Sequence, residues 1–300
     1  MNTVGAIRKV KRKGEKMATF YNQATLSYGN VVKNSNIAEG EILSGITLTK
    51  TAVTGSYGAG DSISYVVTLT NNGASAVDGI TLTDDLGAYT PVGGTAEVTP
   101  LTYVNGSLLY YVNGAISTPP TVTTTDPLVF DGISIPAGGN VTLIYEALAN
   151  EYAPLAAASA ITNTATTAGT VEPLTASDSV PVRDEAMLSI AKAVSPVTVA
   201  GNGEITYTFI IQNSGNTAAT ATDNVVVTDT FNPILSGISA TLDGTPLAEG
   251  TGYTYDATTG EFATAVGAIT VPAATYTTDP TTGAVITTPG VTTLTVSGTV

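Results

Sequence analysis

Apolar and polar residues alternate along short stretches of this chain, and each stretch is bounded by Gly, Asn, Asp or Pro. Successive strand side chains point to opposite faces, so such runs predict half-buried β-strands, and their brevity predicts sandwiches of antiparallel strands. Long runs of helix formers at 3.6-residue spacing are absent. The pattern occurs twice. Ile46-Thr-Leu-Thr-Lys50 matches Leu188-Ser-Ile-Ala-Lys192. Further on, 60–73 (GDSISYVVTLTNNG) matches 202–215 (NGEITYTFIIQNSG), with Tyr65 over Tyr207 and Asn71 over Asn213. ITLTDDL at 80–86 matches VVVTDTF at 225–231. The stretch 133–148 corresponds to 269–274 joined, across an insertion, to 291–300.

The first copy continues into ITNTATT at 161–167 and then ASDSVPVRDEA at 176–186, with no counterpart after the second copy's last strand. A counterpart stands at the other end. Residues 20–28, FYNQATLSY, read as a strand that closes a repeat, followed by a Gly-containing turn and a second strand. The organisation predicted is a basic leader at 1–16, a donor hairpin at 17–42, a complete repeat at 43–183 and a repeat lacking its closing strand at 184–300. Such a chain is expected to polymerise head to tail.

Face parity picks out polar residues on apolar faces. Lys50 shares a face with Ile46 and Leu48, and Lys192 shares one with Leu188 and Ile190. Asp84 lies in register with Ile80 and Leu82, and Asp229 with Val225 and Val227. Asn163 lies with Ile161 and Ala165, and Asn22 with Phe20 and Ala24. A Lys, an Asp and an Asn buried together are costly unless they satisfy one another. One chemistry uses all three. Desolvation makes a neutral amine available and keeps the carboxyl protonated, so the acid polarises the Asn carbonyl, the amine attacks and ammonia leaves. The product is an isopeptide bond promoted by Asp84 or Asp229. Lys50 and Asn163 would form it within the chain, and Lys192 with Asn22 of the next subunit. The donor strand would present Phe20, Asn22, Ala24 and Leu26. The other reading is a buried Lys–Asp pair with an Asn hydrogen bond.

The pattern LTK…GD…YT…TNNG…VTDTL…P.G…ITNTA, carried by the stretches above, resembles the bacterial surface repeat called domain of unknown function 11. The start MATFYNQATLSYGN is similar to clostridial-type proteins of this kind, including spore-appendage subunits. The resemblance covers nearly everything after Met17. It implies an all-β fold of two tandem immunoglobulin-like antiparallel sandwiches with an N-terminal donor hairpin. Lys–Asn bonds are known in similar surface domains, and the second repeat departs from the pattern by lacking its Asn-bearing strand.

Composition narrows the function classes. The chain has no Cys and no His, which excludes disulfides, the usual zinc sites and Cys or His nucleophiles and bases. The net charge is −14. Six of the ten basic residues fall in 1–16; Lys33, Lys50, Arg183 and Lys192 stand against all but one of the 24 acids. The body should repel nucleic acid and anionic membrane. The leader is expected to be disordered, or to precede a true start at Met17. No apolar segment of signal or membrane-span length is visible. The acid pairs Asp84-Asp85 and Asp184-Glu185 lack the spacing of a calcium loop. No cofactor or metal is expected, and no activity on an external substrate. The expected partner is the chain itself, with an unknown anchor or tip protein, in a filament on a spore or cell surface. The alternatives are an adhesin, a surface-layer protein or a carbohydrate-binding module, the last with Tyr103, Tyr110 and Tyr111 as a sugar platform. Tyr110 and Tyr111 are adjacent and so face opposite ways.

Overall fold

A computed structural model describes residues 17–300 apart from 44, 95 and 171; the basic leader lies outside the described residues. The described chain is almost wholly strand and turn, as the alternation predicts, with one turn of 3-10 helix at Ala221–Asp223.

The first four strands make a paired ribbon. β1 (Met17–Asn22) runs antiparallel to β4 (Ala38–Leu43), and β2 (Thr25–Tyr28) to β3 (Val31–Asn34). Gly29, at φ 54°, turns the chain between β2 and β3. The stretch 20–28 is thus two strands where the sequence reads as one. Thr25 faces Asn34 and Asn22 faces Ala38, three residues apart on one side and four on the other. The extra residue is a bulge that breaks the ladder. Ser35 fills the break: its hydroxyl accepts the Ala24 N–H at 2.9 Å and its own N–H bonds the Ala24 carbonyl at 2.8 Å.

The first sandwich opens with β5 (Ile46–Ala52), β6 (Ser62–Asn71) and β7 (Val77–Asp84). It continues with β8 (Leu101–Tyr103), β9 (Leu109–Val112), β10 (Ala115–Ile116) and β11 (Thr121–Thr125). It ends with β12 (Leu128–Ile135), β13 (Asn140–Ala149), β14 (Ala160–Ala168) and β15 (Thr175–Pro181). One sheet has the order β10-β9-β13-β6-β5, with β8 also on β13; the other has β11-β12-β7-β14-β15. Alternate residues of β6 (Ile63, Tyr65, Val67, Leu69) and β13 (Val141, Leu143, Tyr145, Ala147) are buried against Ile80, Leu82, Phe130 and Ile133 of the facing sheet.

The second sandwich begins with β16 (Leu188–Ser195), β17 (Glu204–Asn213), β18 (Thr228–Thr230) and β19 (Ser236–Leu242). Next come β20 (Thr245–Leu247), β21 (Tyr253–Tyr255) and β22 (Glu261–Thr264). β23 (Thr275–Thr278) and β24 (Val285–Thr288) form the inserted hairpin, before β25 (Gly290–Thr299). The sheet β16-β17-β25-β19-β20 repeats the first sandwich's β5-β6-β13 core. Asn71 and Asn213 confirm the alignment by doing one job twice. Each accepts an N–H two residues on (Gly73, Gly215) and donates to the carbonyl four residues on (Ser75, Thr217). The facing sheet, β18-β22-β21, has three strands where the first sandwich has five. Among the described residues nothing pairs with β18 on the side that β14 takes beside β7.

Candidate functional site: two lysine–acid clusters

Each predicted lysine meets its predicted acid. In the first sandwich β5 carries Lys50 and β7 ends at Asp84, and the Lys50 ammonium pairs with Asp84 Oδ2. Neither side chain has any exposed surface. Asp84 Oδ1 accepts the Leu86 N–H at 3.0 Å. Two tyrosines that parity marks only as core residues complete the cluster. The Tyr145 hydroxyl donates to Asp84 Oδ2 and accepts from Lys50 Nζ at 3.0 Å. The Tyr65 ring lies 4.6 Å from Nζ and stacks on Tyr145 with centroids 5.7 Å apart. Burial lowers the Lys50 pKa below its ordinary value; the charges of Asp84, Asp85 and Asp178 oppose the shift without cancelling it.

Asn163 is the third member. β14 places it on the core side, opposite Asp178 of β15, and it is fully buried. Its carbonyl oxygen and amide nitrogen have no hydrogen-bond partner, and neither does the Tyr65 hydroxyl. The Tyr65 and Tyr145 hydroxyls lie near enough to the Asn163 side chain for it to favour their ionised forms, against the larger effect of burial. The contact does not complete a hydrogen bond, and the amide stays unpaired. An unpaired buried polar group costs about 1–3 kcal/mol, which makes this amide an anomaly beside a desolvated amine.

In the second sandwich Lys192 of β16 pairs with Asp229 of β18. Its Nζ lies 4.5 Å from the Tyr207 ring and 5.5 Å from Phe231. The chemistry matches the first cluster and the enclosure does not. The Lys192 side chain is 41% exposed. Leu188, core-facing by parity, is 41% exposed where its counterpart Ile46 is 7%. All eight residues of β16 are exposed. The cause lies in the covering strands. In the first sandwich β14 pairs with β7, and Asp178 of β15 accepts the Ala52 N–H of β5 at 2.8 Å. No described strand does this for β18 and β16.

Asn22 does not meet Lys192 within the chain. It ends β1, opposite Ala38, and is exposed, as are Ala24 and Leu26. The β1 backbone places Phe20 opposite Gly40. The acid pairs weighed for calcium are engaged otherwise: Asp85 Oδ1 accepts the Gly87 and Thr164 N–H groups, and Glu185 pairs with Arg183. Among the described residues no group of three or more acids is placed to hold a metal. Tyr103 and Tyr110, two of the three platform tyrosines, are buried. No helix among the described residues is long and apolar enough to cross a membrane.

No family model matches this chain, and no curated protein does. Solved structures of similar shape include the major pilin subunit BcpA of Bacillus cereus, at 11% identity and a TM-score of 0.35 over 91% of this chain and 73% of that one. Another is the pilus backbone RrgB of Streptococcus pneumoniae, at 11% and 0.33 over 81% and 55%. A third is the collagen-binding domain of the Erysipelothrix rhusiopathiae surface protein RspB, at 14% and 0.27 over 56% and 60%. Likeness this distant carries no argument about function.

Proposed function

We propose that the chain is a structural subunit of a surface filament that grows head to tail, the β1–β4 ribbon of one copy filling the open second sandwich of the next. The observation that carries this reading is the core face of β16 and the edge of β18, which no described strand covers, against a ribbon whose sequence matches the strands that cover the first sandwich. Insertion would be β-augmentation, adding ladder bonds and apolar burial together. A contact of this kind is heterologous and does not close, so it extends a fibre and removes a sheet edge that invites aggregation.

The first sandwich supplies the register. There Ala165, Thr166 and Thr167 lie opposite Asp84, Thr83 and Leu82. The matching positions put Ala24 opposite Asp229, Thr25 opposite Thr228 and Leu26 opposite Val227, with Asn22 arriving beside Lys192. The donor is a second copy because two residues, Ser44 and Gly45, separate β4 from β5. At about 3.3 Å per residue they cannot carry the ribbon past the first sandwich. On this reading Lys50–Asn163 becomes an intramolecular isopeptide bond, and Lys192–Asn22 an intermolecular one. The resemblance to surface-repeat proteins supports a spore or cell surface as the filament's location.

The test is denaturing gel electrophoresis of the boiled protein, with mass spectrometry of linked peptides. A ladder whose rungs contain an Asn22–Lys192 linkage is expected. Collapse to monomer on boiling would remove the covalent lock and leave donor exchange standing. Fibres from a chain lacking 17–43 would overturn donor exchange itself.

A further inference from the structure

The two clusters differ at the core position across the ladder from the shared tyrosine. Tyr65 of β6 pairs with Tyr145 of β13, and Tyr207 of β17 pairs with Val296 of β25. Val296 therefore stands where the first sandwich has Tyr145. Phe231 stacks on Tyr207 at 4.9 Å, so the second cluster keeps an aromatic wall and lacks the hydroxyl.

That hydroxyl has a specific place. A neutral amine has two N–H groups and one lone pair. In the first cluster Lys50 Nζ has two oxygen acceptors, Asp84 Oδ2 and the Tyr145 hydroxyl at 3.0 Å. With both N–H groups taken, the lone pair is left free, and on the isopeptide reading above its target is the unpaired Asn163 amide that β14 brings into the same core. The Tyr145 ring is fixed by Tyr65, Phe130 and Tyr103 at centroid distances of 5.7, 5.5 and 6.3 Å. Its hydroxyl stays protonated because burial, and then the Asp84 charge, raise its pKa well above the ordinary value.

Building on the isopeptide reading above, we propose that Tyr145 is a positioning residue for the Lys50–Asn163 bond, its hydroxyl bridging Lys50 Nζ and Asp84 Oδ2 so that the amine is aimed at Asn163 Cγ. The step balances as follows. Lys50 enters as an ammonium and gives one proton to Asp84. Nζ bonds to Asn163 Cγ while the protonated Asp84 supports the Asn163 oxygen. The Cγ–Nδ2 bond breaks, and Nδ2 leaves as ammonium, carrying its own two hydrogens and two that entered on Nζ. One hydrogen stays on the new amide, and Asp84 returns to its carboxylate. No oxidant or reductant takes part.

The test follows bond formation in the full chain made by cell-free translation, sampled over time in acid. It uses a Lys192→Ala background, so that only the first bond contributes to the loss of ammonia mass. Tyr145→Phe keeps the ring and removes the hydroxyl, and should slow the reaction about tenfold or more. Tyr152→Phe removes a hydroxyl on a surface turn outside the cluster and should leave the rate unchanged. The pH profile separates positioning from packing. Asp84 is bonded by Lys50 from β5 and Tyr145 from β13, Tyr65 from β6 stacks on Tyr145, Asp85 is the next residue, and β14 and β15 carry Asn163 and Asp178. Of these Tyr145 is the neutral donor that Tyr145→Phe removes, and its loss should move the acidic limb of the profile upward. A ring-fluorinated tyrosine at 145, a stronger donor of nearly the same shape, should move that limb downward in a fully folded chain. A Tyr145→Phe rate and profile equal to the parent's would overturn the proposal. So would a slower rate with an unmoved profile in both variants, which is the signature of packing alone. If the parent chain never loses ammonia, the isopeptide reading fails, and this inference with it.

Discussion

In the first sandwich Lys50 and Asp84 have no exposed side-chain surface; in the second, Lys192 and Asp229 hold the same ion pair with the amine 41% open to solvent. The strands that carry them match in register, β5 on β6 and β16 on β17. The difference arises elsewhere in the chain, in β14 and β15, which cover the first pair. A strand's own sequence decides which side chains face inward, and another strand decides whether inward means dry. The desolvation that primes an amine can therefore be withheld until the covering strand arrives.

The largest expected effects come from placing a charge at equivalent points of the two faces. Leu48→Asp puts a carboxylate against the filled core and should lower stability by about 3 kcal/mol in a thermal melt. Ile190→Asp falls on the open face, so the unassembled chain should lose no more than about 0.5 kcal/mol. The same change should abolish fibres in electron micrographs. Fibres at normal yield from Ile190→Asp would mean that this face is not the acceptor.

Removal of the two asparagines sharpens the contrast. On the proposed isopeptide reading, Asn163→Ala should delete a cross-link closing a loop of roughly a hundred residues, worth about 4–5 kcal/mol by constraint of the unfolded chain, or about 15 °C in melting temperature. Asn22→Ala should leave the melting temperature of the unassembled chain unchanged. Its fibres should form and then fall to monomer when boiled in detergent. A synthetic 17–43 hairpin added to growing fibres should cap them, with one peptide recovered per fibre end.

The parts of this comparison readable from sequence are those governed by period two. Lys50, Asp84 and Asn163 keep step with Ile46, Ile80 and Ile161, so their burial follows from strand geometry alone. Tyr145 keeps the same step with Val141 and Leu143, but an aromatic on a core face reads as packing, and nothing local tells that its hydroxyl reaches Asp84. The break between β1 and β2 was hidden because a bulge depends on partner spacing, here the extra residue between Asn34 and Ala38. The insertion in the second repeat was visible as extra sequence. Its contact with the first sandwich, Val285 N–H to the Glu151 carbonyl at 2.8 Å, depends on how the two sandwiches meet and has no signature in either strand.

The smallest effect is a pH dependence that separates a bonded from an unbonded Lys50. Burial lowers the Lys50 pKa in the folded chain below its ordinary 10.5. Below that value the unfolded chain binds a proton that the folded chain holds less tightly, so stability falls as pH falls through the folded pKa and rises as pH rises toward 10.5. That dependence requires a free amine. If the proposed bond forms, the parent chain's isopeptide nitrogen does not titrate, so the first sandwich's melting temperature should show no lysine-linked slope between neutral pH and about pH 9.5. Asn163→Ala restores the amine and should melt higher at the alkaline end of that window than at neutrality. Adding Lys50→Met to Asn163→Ala should remove the slope, because the titrating group is gone. A parent chain with the same slope as Asn163→Ala would mean that Lys50 remains an amine, and that the first cluster is a buried ion pair beside an unpaired amide.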